Sequence, residues 1–183
     1  MAMVTRASPP AIEFRPLAES DLPLLHAWLN QPHVLEWWAG ESSLEDVRAK
    51  YLPRIDHGTV RPYVACVGSI PIGYIQSYVA VETDDGWWSG CSDPGVLGID
   101  QFVADRDRLG QGLGTAMASQ FAARLFGDPG VSRLQVDPRP ENTRAIRCYE
   151  KAGFRATGIV TTPDGPALLM TLNRPLVAEA KHE

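Results

Sequence analysis

The feature that most constrains this chain is a run of glycines at every second position, Leu109-Gly110-Gln111-Gly112-Leu113-Gly114-Thr115. It follows an apolar, strand-like segment, Gly98 to Ala104, and opens a helix-like one, Thr115 to Phe126. Inside a helix each glycine costs about 1 kcal/mol relative to alanine, so helix propensity does not account for the spacing. A backbone turn does: its N–H groups converge at a helix N-terminus, where the helix dipole also favours an anion. A phosphate-bearing ligand is the natural occupant, although glycine turns also serve as plain connectors between a strand and a helix.

A second segment narrows this choice. Asn142-Thr143-Arg144-Ala145-Ile146-Arg147-Cys148-Tyr149-Glu150-Lys151-Ala152-Gly153-Phe154 comes after a further apolar stretch, Val131 to Val136. Together the two segments resemble the acetyl-CoA-binding core of the GNAT acyltransferases, a Q/R-x-x-G-x-G/A loop and then a helix with N-x-x-A-x-x-x-Y-x-K-x-G-F. The second motif matches at Asn142, Ala145, Tyr149, Lys151, Gly153 and Phe154, whereas the loop departs from its pattern at Leu109. That departure removes one side-chain contact and leaves the backbone cradle.

Further blocks carry the resemblance to a substrate class. Trp28-Leu29-Asn30, Val34-Leu35-Glu36-Trp37-Trp38, Gly73 to Ala80, Asp85-Gly86-Trp87-Trp88, Asp93 to Val96, Gly98 to Gln101 and Thr161 to Ala167 are similar to the aminoglycoside 6'-N-acetyltransferases of the resistance type. The similarity runs from about residue 12 to residue 173, with small gaps between residues 39 and 62. It implies a GNAT fold and a direct transfer of acetyl from acetyl-CoA to the 6'-amino group of antibiotics such as kanamycin.

Composition is compatible with this. At 183 residues the chain is long enough for one well-buried domain and short for two, and its 44% apolar and 21% charged residues are ordinary for a globular protein. We expect a flexible N-terminal tail over residues 1–11, one acetyltransferase domain over 12–175 and a C-terminal tail over 176–183. No apolar run approaches a membrane span of about 20 residues, and the first ten residues lack the apolar core of a secretory signal. The three cysteines, Cys66, Cys91 and Cys148, have no metal-ligand spacing, and an odd count favours reduced thiols in the cytoplasm. No metal is expected. Cys148 reads as an incidental thiol rather than a nucleophile. The net charge of −5 argues against a nucleic-acid partner and suits a cationic one. Its distribution says more, because Glu82, Asp84, Asp85, Asp93 and Asp100 crowd a 19-residue stretch that lacks Lys and Arg and contains Trp87 and Trp88. Nothing in the sequence chooses between a monomer and a homodimer.

The coarse pattern is α+β. Ile12 to Arg15 alternates as a first strand. Ser20 is placed to cap a short helix reaching Asn30, and Ser42-x-x-Glu45 reads as a capping box for a second helix. Tyr63–Val67 and Pro71–Val81 form a hairpin turning at Gly68-Ser69. Leu113, Met117, Phe121 and Leu125 recur four apart on one face of a helix over about 112–126, stopped by Asp128-Pro129-Gly130. A strand at 131–136, a helix at 142–152 with Gly153 beyond its end, and strands near 155–161 and 167–172 complete a mixed β-sheet flanked by helices.

Acyl transfer from a thioester to an amine requires that the cofactor's pyrophosphate be held, that the ammonium lose a proton and that the departing thiolate gain one. The backbone of Gln111, Gly112, Leu113, Gly114 and Thr115 meets the first requirement. Asn142 adds a contact along the pantetheine arm as the resemblance implies, or caps its helix, or does both. Asp100 interrupts an apolar strand, where an unpaired carboxylate is expensive to bury; it suits a base, with a structural aspartate as the alternative. The resemblance also marks it as facing the substrate. Tyr149 lies two turns from Asn142 on one helix face. In GNAT enzymes a tyrosine there commonly acts as general acid, and a phenol with a pKa near 10 matches a leaving thiolate; a packing tyrosine is the alternative. The thioester oxyanion would meet a backbone N–H of strand 98–104, exposed by a splay or bulge. For a polycationic sugar, Trp38, Tyr78 and Trp88 offer stacking faces and Asp85 and Asp137 carboxylates, with Gln76 and Glu141 as weaker partners. Asp164, in Pro163-Asp164-Gly165, reads first as a turn residue. A GNAT enzyme for a protein N-terminus or another small amine, and a non-catalytic acetyl-CoA-binding module, are the rival readings.

Overall fold

The computed structural model describes residues 8–41, 43–56, 58–83, 86–88 and 90–175. Residues 1–7 of the tail expected over 1–11, and the whole tail expected over 176–183, therefore lie outside the described residues, as do Ser42 and Asp85. A first strand, β1 (Glu13–Pro16), leads into α1 (Leu22–Leu29), the single turn α2 (Pro32–Leu35) and α3 (Leu44–Asp56). Next come β2 (Val60–Val67), β3 (Ile70–Val79), β4 (Val96–Val103), α4 (Leu113–Leu125), β5 (Arg133–Val136), α5 (Thr143–Lys151), β6 (Arg155–Thr162) and β7 (Gly165–Asn173). The strands form one sheet in the order β1-β2-β3-β4-β5-β7-β6.

Helix starts depart from the sequence expectation in two places. Ser20 does not cap α1; the carboxylate of Asp21 accepts the Ala18 N–H at 2.9 Å and is gripped by both terminal nitrogens of Arg15 at 2.6 and 2.8 Å. For α3, the box is built one residue later than Ser42 and Glu45. Ser43 Oγ accepts the Asp46 N–H at 3.1 Å while Asp46 Oδ2 accepts the Ser43 N–H at 3.0 Å. An aspartate, one methylene shorter than the glutamate of the usual box, closes this reciprocal pair.

Alternation along the strands sends apolar side chains to both faces of the sheet. Val64 and its cross-strand partner Tyr74 point toward α1 and α3, among Leu25, Trp28, Val47 and Tyr51. Ala65, Ile75 and Ile99 point toward α4, whose Leu113, Met117 and Phe121 are buried as their spacing predicts. Each such fully buried side chain contributes about 1.5–3 kcal/mol.

One interruption of the sheet creates the site. β4 pairs antiparallel with β3 in an unbroken register from Gly73↔Val103 to Val79↔Leu97. On its other edge it pairs in parallel with β5 only from Val96 to Gly98. Beyond Gly98 the two strands part, so the stretch from Ile99 to Val103 has no partner on that side. The strand is splayed rather than bulged, and α5 begins beyond the open end of the gap.

Candidate active site

Two cavities meet at this gap. The first, of about 360 Å³, is bordered by Gln76, Tyr78, Trp87, Asp100, Asp137 and Asp164 among others. The second, of about 340 Å³, is bordered by Gly110, Gly112, Gly114, Thr115, Arg144 and Arg147 among others. Trp38, Gln101, Asn142 and Tyr149 border both. The first chamber thus combines three carboxylates and aromatic rings with Lys50, Arg54 and Arg139, and its neighbour has glycine backbone and cationic side chains without a carboxylate.

The glycine loop owes its shape to two left-handed residues, Gly110 (φ +75°) and Gly112 (φ +86°). Gly112 is the N-cap of α4, which puts the positive end of the helix dipole at the second cavity. Of the five expected loop residues, Gly112, Gly114 and Thr115 border the cavity. Gln111 turns its side chain back to the Asp107 carbonyl at 2.7 Å, and Leu113 is buried in the core, so these two offer at most backbone. Arg108, Arg144, Arg147 and Lys151 add positive charge around the loop. Leu109 also borders the cavity.

Asn142 is the N-cap of α5, its Oδ1 accepting the Ala145 N–H at 3.1 Å, and it also borders both chambers. The helix-cap reading of this residue is thus seen directly, and its place at the junction is compatible with the contact to the pantetheine arm. Tyr149, on the buried face of α5, packs edge-on against Phe154 with ring centroids 5.5 Å apart. Burial, with added repulsion from Cys148, Asp100 and Asp137, raises its pKa well above the usual 10, so the phenol stays protonated. Cys148 sits beside it with Sγ 3.7 Å from both Thr115 Oγ1 and Gln101 Nε2. Burial raises this thiol too, which suits a packing thiol and not a nucleophile.

Asp100 comes from β4 at the mouth of the gap, and its Oδ2 accepts Gln76 Nε2–H at 2.8 Å. Burial raises its pKa, while the Gln76 hydrogen bond and the charge of Arg54 pull it down. Asp137, just past β5, has Oδ2 buried without a hydrogen-bond partner among the described residues. Burial first, and the neighbouring Asp100 charge second, push its pKa up to about 7. Two carboxylates bordering one half-dry pocket, each with its pKa raised by burial, suit a cationic guest.

The remaining expected substrate residues divide. Trp38 borders both cavities but also packs edge-on against Tyr74 and Phe102, at 5.8 and 5.2 Å. Tyr78 borders the first cavity and stacks at 6.4 Å on Trp88. Trp88 itself is buried behind Tyr78 among Ala80 and Val96 and does not border the cavity; the adjacent Trp87 does. Glu141 is exposed and borders neither chamber, because it precedes the α5 cap on the outer side. Gln76 is buried and bound to Tyr74, Arg54 and Asp100, so its amide serves the aspartate. Asp164 keeps its turn, its N–H bonded to Thr162 Oγ1 at 3.2 Å, and also borders the acidic cavity. Sequence reasoning passed over Arg54 altogether, since a single arginine on an amphipathic helix carries no local signal. Among the described residues no cluster of three or more His, Cys, Asp or Glu is placed to hold a metal ion, and no helix is long and apolar enough to cross a membrane.

Comparison with known proteins agrees with this geometry. Residues 18–162 match the family model of the acetyltransferase (GNAT) domain. The chain is 50% identical over 168 residues to the aminoglycoside N(6')-acetyltransferase type 1 of Klebsiella pneumoniae, covering 90% of this chain and 84% of that one. A kanamycin resistance protein of Rhizobium radiobacter is 56% identical over 88 residues, 48% of this chain and 82% of its own. Among solved structures, the aminoglycoside acetyltransferase AAC(6')-Ib in complex with coenzyme A and kanamycin superposes with a TM-score of 0.86 at 50% identity, covering 90% of this chain and 95% of that one. The mixed seven-stranded sheet, its splay and the two chambers at its mouth are therefore those of a GNAT enzyme, and the chain belongs to the aminoglycoside 6'-N-acetyltransferases of the GNAT acetyltransferase family.

Proposed function

We propose that this protein transfers acetyl from acetyl-CoA directly to the 6'-amino group of aminoglycoside antibiotics and thereby confers resistance. The observation that carries the reading is the junction of a carboxylate-walled chamber with a glycine-loop chamber, with Asp100 in the first and Tyr149 bordering both. The loop around Gly110 and Gly112, with Arg108, Arg144 and Arg147, receives the cofactor's phosphates. Its thioester then reaches the gap between β4 and β5. Asp100 takes a proton from the substrate ammonium, directly or through water, and the freed amine attacks the thioester carbonyl. The oxyanion is met by backbone N–H of the unpaired Ile99–Val103 stretch. As the C–S bond breaks, Tyr149 gives its proton to the thiolate and is restored by the proton still carried on the new amide nitrogen. The products are N-acetylated drug, coenzyme A and one proton. Asp137 and Asp164 pair with other ammonium groups, and Trp38, Tyr78 and Trp87 supply ring faces. Neutralising one ammonium removes a charge the drug uses on its RNA target. The enzyme works in the cytoplasm, where acetyl-CoA is made, as a monomer or homodimer with no nucleic-acid or membrane partner.

Coenzyme A release measured with kanamycin, tobramycin, amikacin and the gentamicin C components tests the reading. Turnover is expected with drugs that carry a 6'-amine and none with analogues in which that position is a hydroxyl. Equal turnover of the hydroxyl analogues, or turnover of peptides alone, would refute it.

A further inference from the structure

Three cations border the acidic chamber, Lys50, Arg54 and Arg139; Lys50 is paired with Glu41, and Arg54 has a place that the acetyl-transfer chemistry does not require. Arg54, near the end of α3, donates from Nη1 to Gln76 Oε1 at 3.3 Å. Its guanidinium also lies over the Tyr51 ring, 5.1 Å from the centroid. Among the described residues no carboxylate forms an ion pair with it. A fixed positive charge in a pocket meant for polycations works against substrate binding by simple Coulomb repulsion, so its placement calls for a compensating use.

Gln76 indicates that use. Its Oε1 accepts from Tyr74 Oη at 2.7 Å and from Arg54, and its Nε2 donates to Asp100 Oδ2 at 2.8 Å. A tyrosine hydroxyl tolerates either amide orientation, since it donates or accepts. A guanidinium has donors only. Arg54 is thus the neighbour on the Oε1 side that forbids the flipped amide whatever the protonation state of Asp100. In the flipped state Oε1 would face the Asp100 carboxylate, an arrangement that is stable only when Asp100 is protonated and donates.

Resting on the acetyl-transfer reading, in which Asp100 is the base, we infer that Arg54 is a positioning residue. It locks the Gln76 amide with its N–H toward Asp100 and so keeps that aspartate ionised and ready to take the ammonium proton. The other charged or titratable groups around Asp100 are Lys50 and Tyr51 on α3, Tyr74 and Tyr78 on β3, Asp137 and Arg139 beyond β5, Tyr149 on α5 and Asp164 between β6 and β7. The four tyrosines are neutral, the Asp100 charge raises the pKa of Asp137, and of the three cations bordering the chamber Arg54 is the one whose charge lowers the Asp100 pKa.

The test is the pH profile of kcat/KM for kanamycin in the full-length enzyme, wild type against Arg54→Met, Arg54→Gln, Arg54→Lys and Asp100→Asn. The drug's own amines titrate alike in every case, so the difference between profiles reports the enzyme. Arg54→Met and Arg54→Gln are expected to move the acid limb up by about one pH unit, a loss that reaches about tenfold below both limbs and narrows as pH rises. Arg54→Lys, which keeps a donor-only cation, is expected to return the limb at least halfway. The acetyl-CoA Kd should stay within about twofold of wild type in all of them. If Arg54→Met does not fold, the Gln and Lys variants carry the same contrast. An acid limb that is unmoved in Arg54→Gln, or moved equally by Gln and Lys, overturns the inference. Asp100→Asn keeps the two readings apart: if it is inactive while the Arg54 limb stays put, only the positioning role fails, and if it is active the base assignment fails.

Discussion

Tyr78 lies across Gly98 so closely that a β-carbon on the glycine would sit 2.6 Å from the tyrosine hydroxyl oxygen and nearer still to its ring carbons. The two residues are direct partners in the β3–β4 ladder, and Gly98 is also the last residue of β4 that pairs with β5. The missing side chain lets the tyrosine ring cross the strand at the point where the sheet opens, with Trp88 stacked behind it.

Gly98→Ala is therefore expected to lower stability by about 1–3 kcal/mol, the usual cost of overpacking a filled site. It should also weaken kanamycin binding by displacing Tyr78, and leave the acetyl-CoA Kd near wild type because the glycine loop is untouched. Thermal melts together with titration of each ligand decide it. A variant with unchanged Tm and unchanged drug affinity would show that Tyr78 can move without consequence.

Tyr149→Phe should reduce kcat more than it weakens cofactor binding, since the hydroxyl acts when the thiolate departs. The raised pKa keeps the phenol protonated across the working range, so the wild-type rate should show no alkaline loss assignable to Tyr149 near neutrality. Steady-state kinetics with acetyl-CoA as the varied substrate separate the two effects. Preserved kcat with a raised KM for acetyl-CoA would make Tyr149 a cofactor contact instead.

Asp137 predicts proton release on drug binding. Its folded pKa, about 7, lies above the ordinary carboxylate value, so the free protein holds the proton up to near neutrality. An ammonium group beside it lowers that pKa, and at pH 6 the drug's own amines are already charged, so net protons leave the protein. Calorimetry in buffers of different ionisation enthalpy should register this release, and Asp137→Asn should reduce it. The same shift sets a stability trend with a definite sign. A raised folded pKa means that Asp137 favours folding at low pH and that its contribution is lost as pH rises through about 7. The Asn variant should accordingly flatten the fall in stability between about pH 4 and 7. Identical proton release in both proteins would remove Asp137 from the drug site.

The adjacent tryptophans should behave differently. Trp87→Ala removes a cavity wall and is expected to weaken several aminoglycosides several-fold, with the loss persisting at high salt because a ring face is less screened than a charge. Trp88→Ala removes a buried ring and is expected to cost about 3–5 kcal/mol of stability, with weaker binding following from displacement of Tyr78. Urea denaturation and drug titration on both variants check the contrast. Equal stability losses would mean that both rings are packing residues.

What the amino-acid sequence determined by itself is local or periodic. The alternating glycines placed a tight turn between β4 and α4, the four-residue recurrence from Leu113 to Phe121 marked the buried face of α4, and the Asn142–Phe154 motif located α5 with its cap and its tyrosine. Asp100 stood out because a carboxylate in an apolar strand is costly without a purpose. Tertiary structure alone decided the rest. Arg54, Gln76 and Asp100 come from α3, β3 and β4 and meet only through sheet registry and helix packing, which no spacing along the chain encodes. Trp87 and Trp88 are neighbours in a segment without helical or strand period, so no pattern says which ring faces the cavity and which the core. Asp164 reads as turn chemistry and is that, yet the fold brings the turn to the edge of the acidic chamber. The splay that exposes β4 depends on where β5 stops pairing, a balance between two strands far apart in the chain.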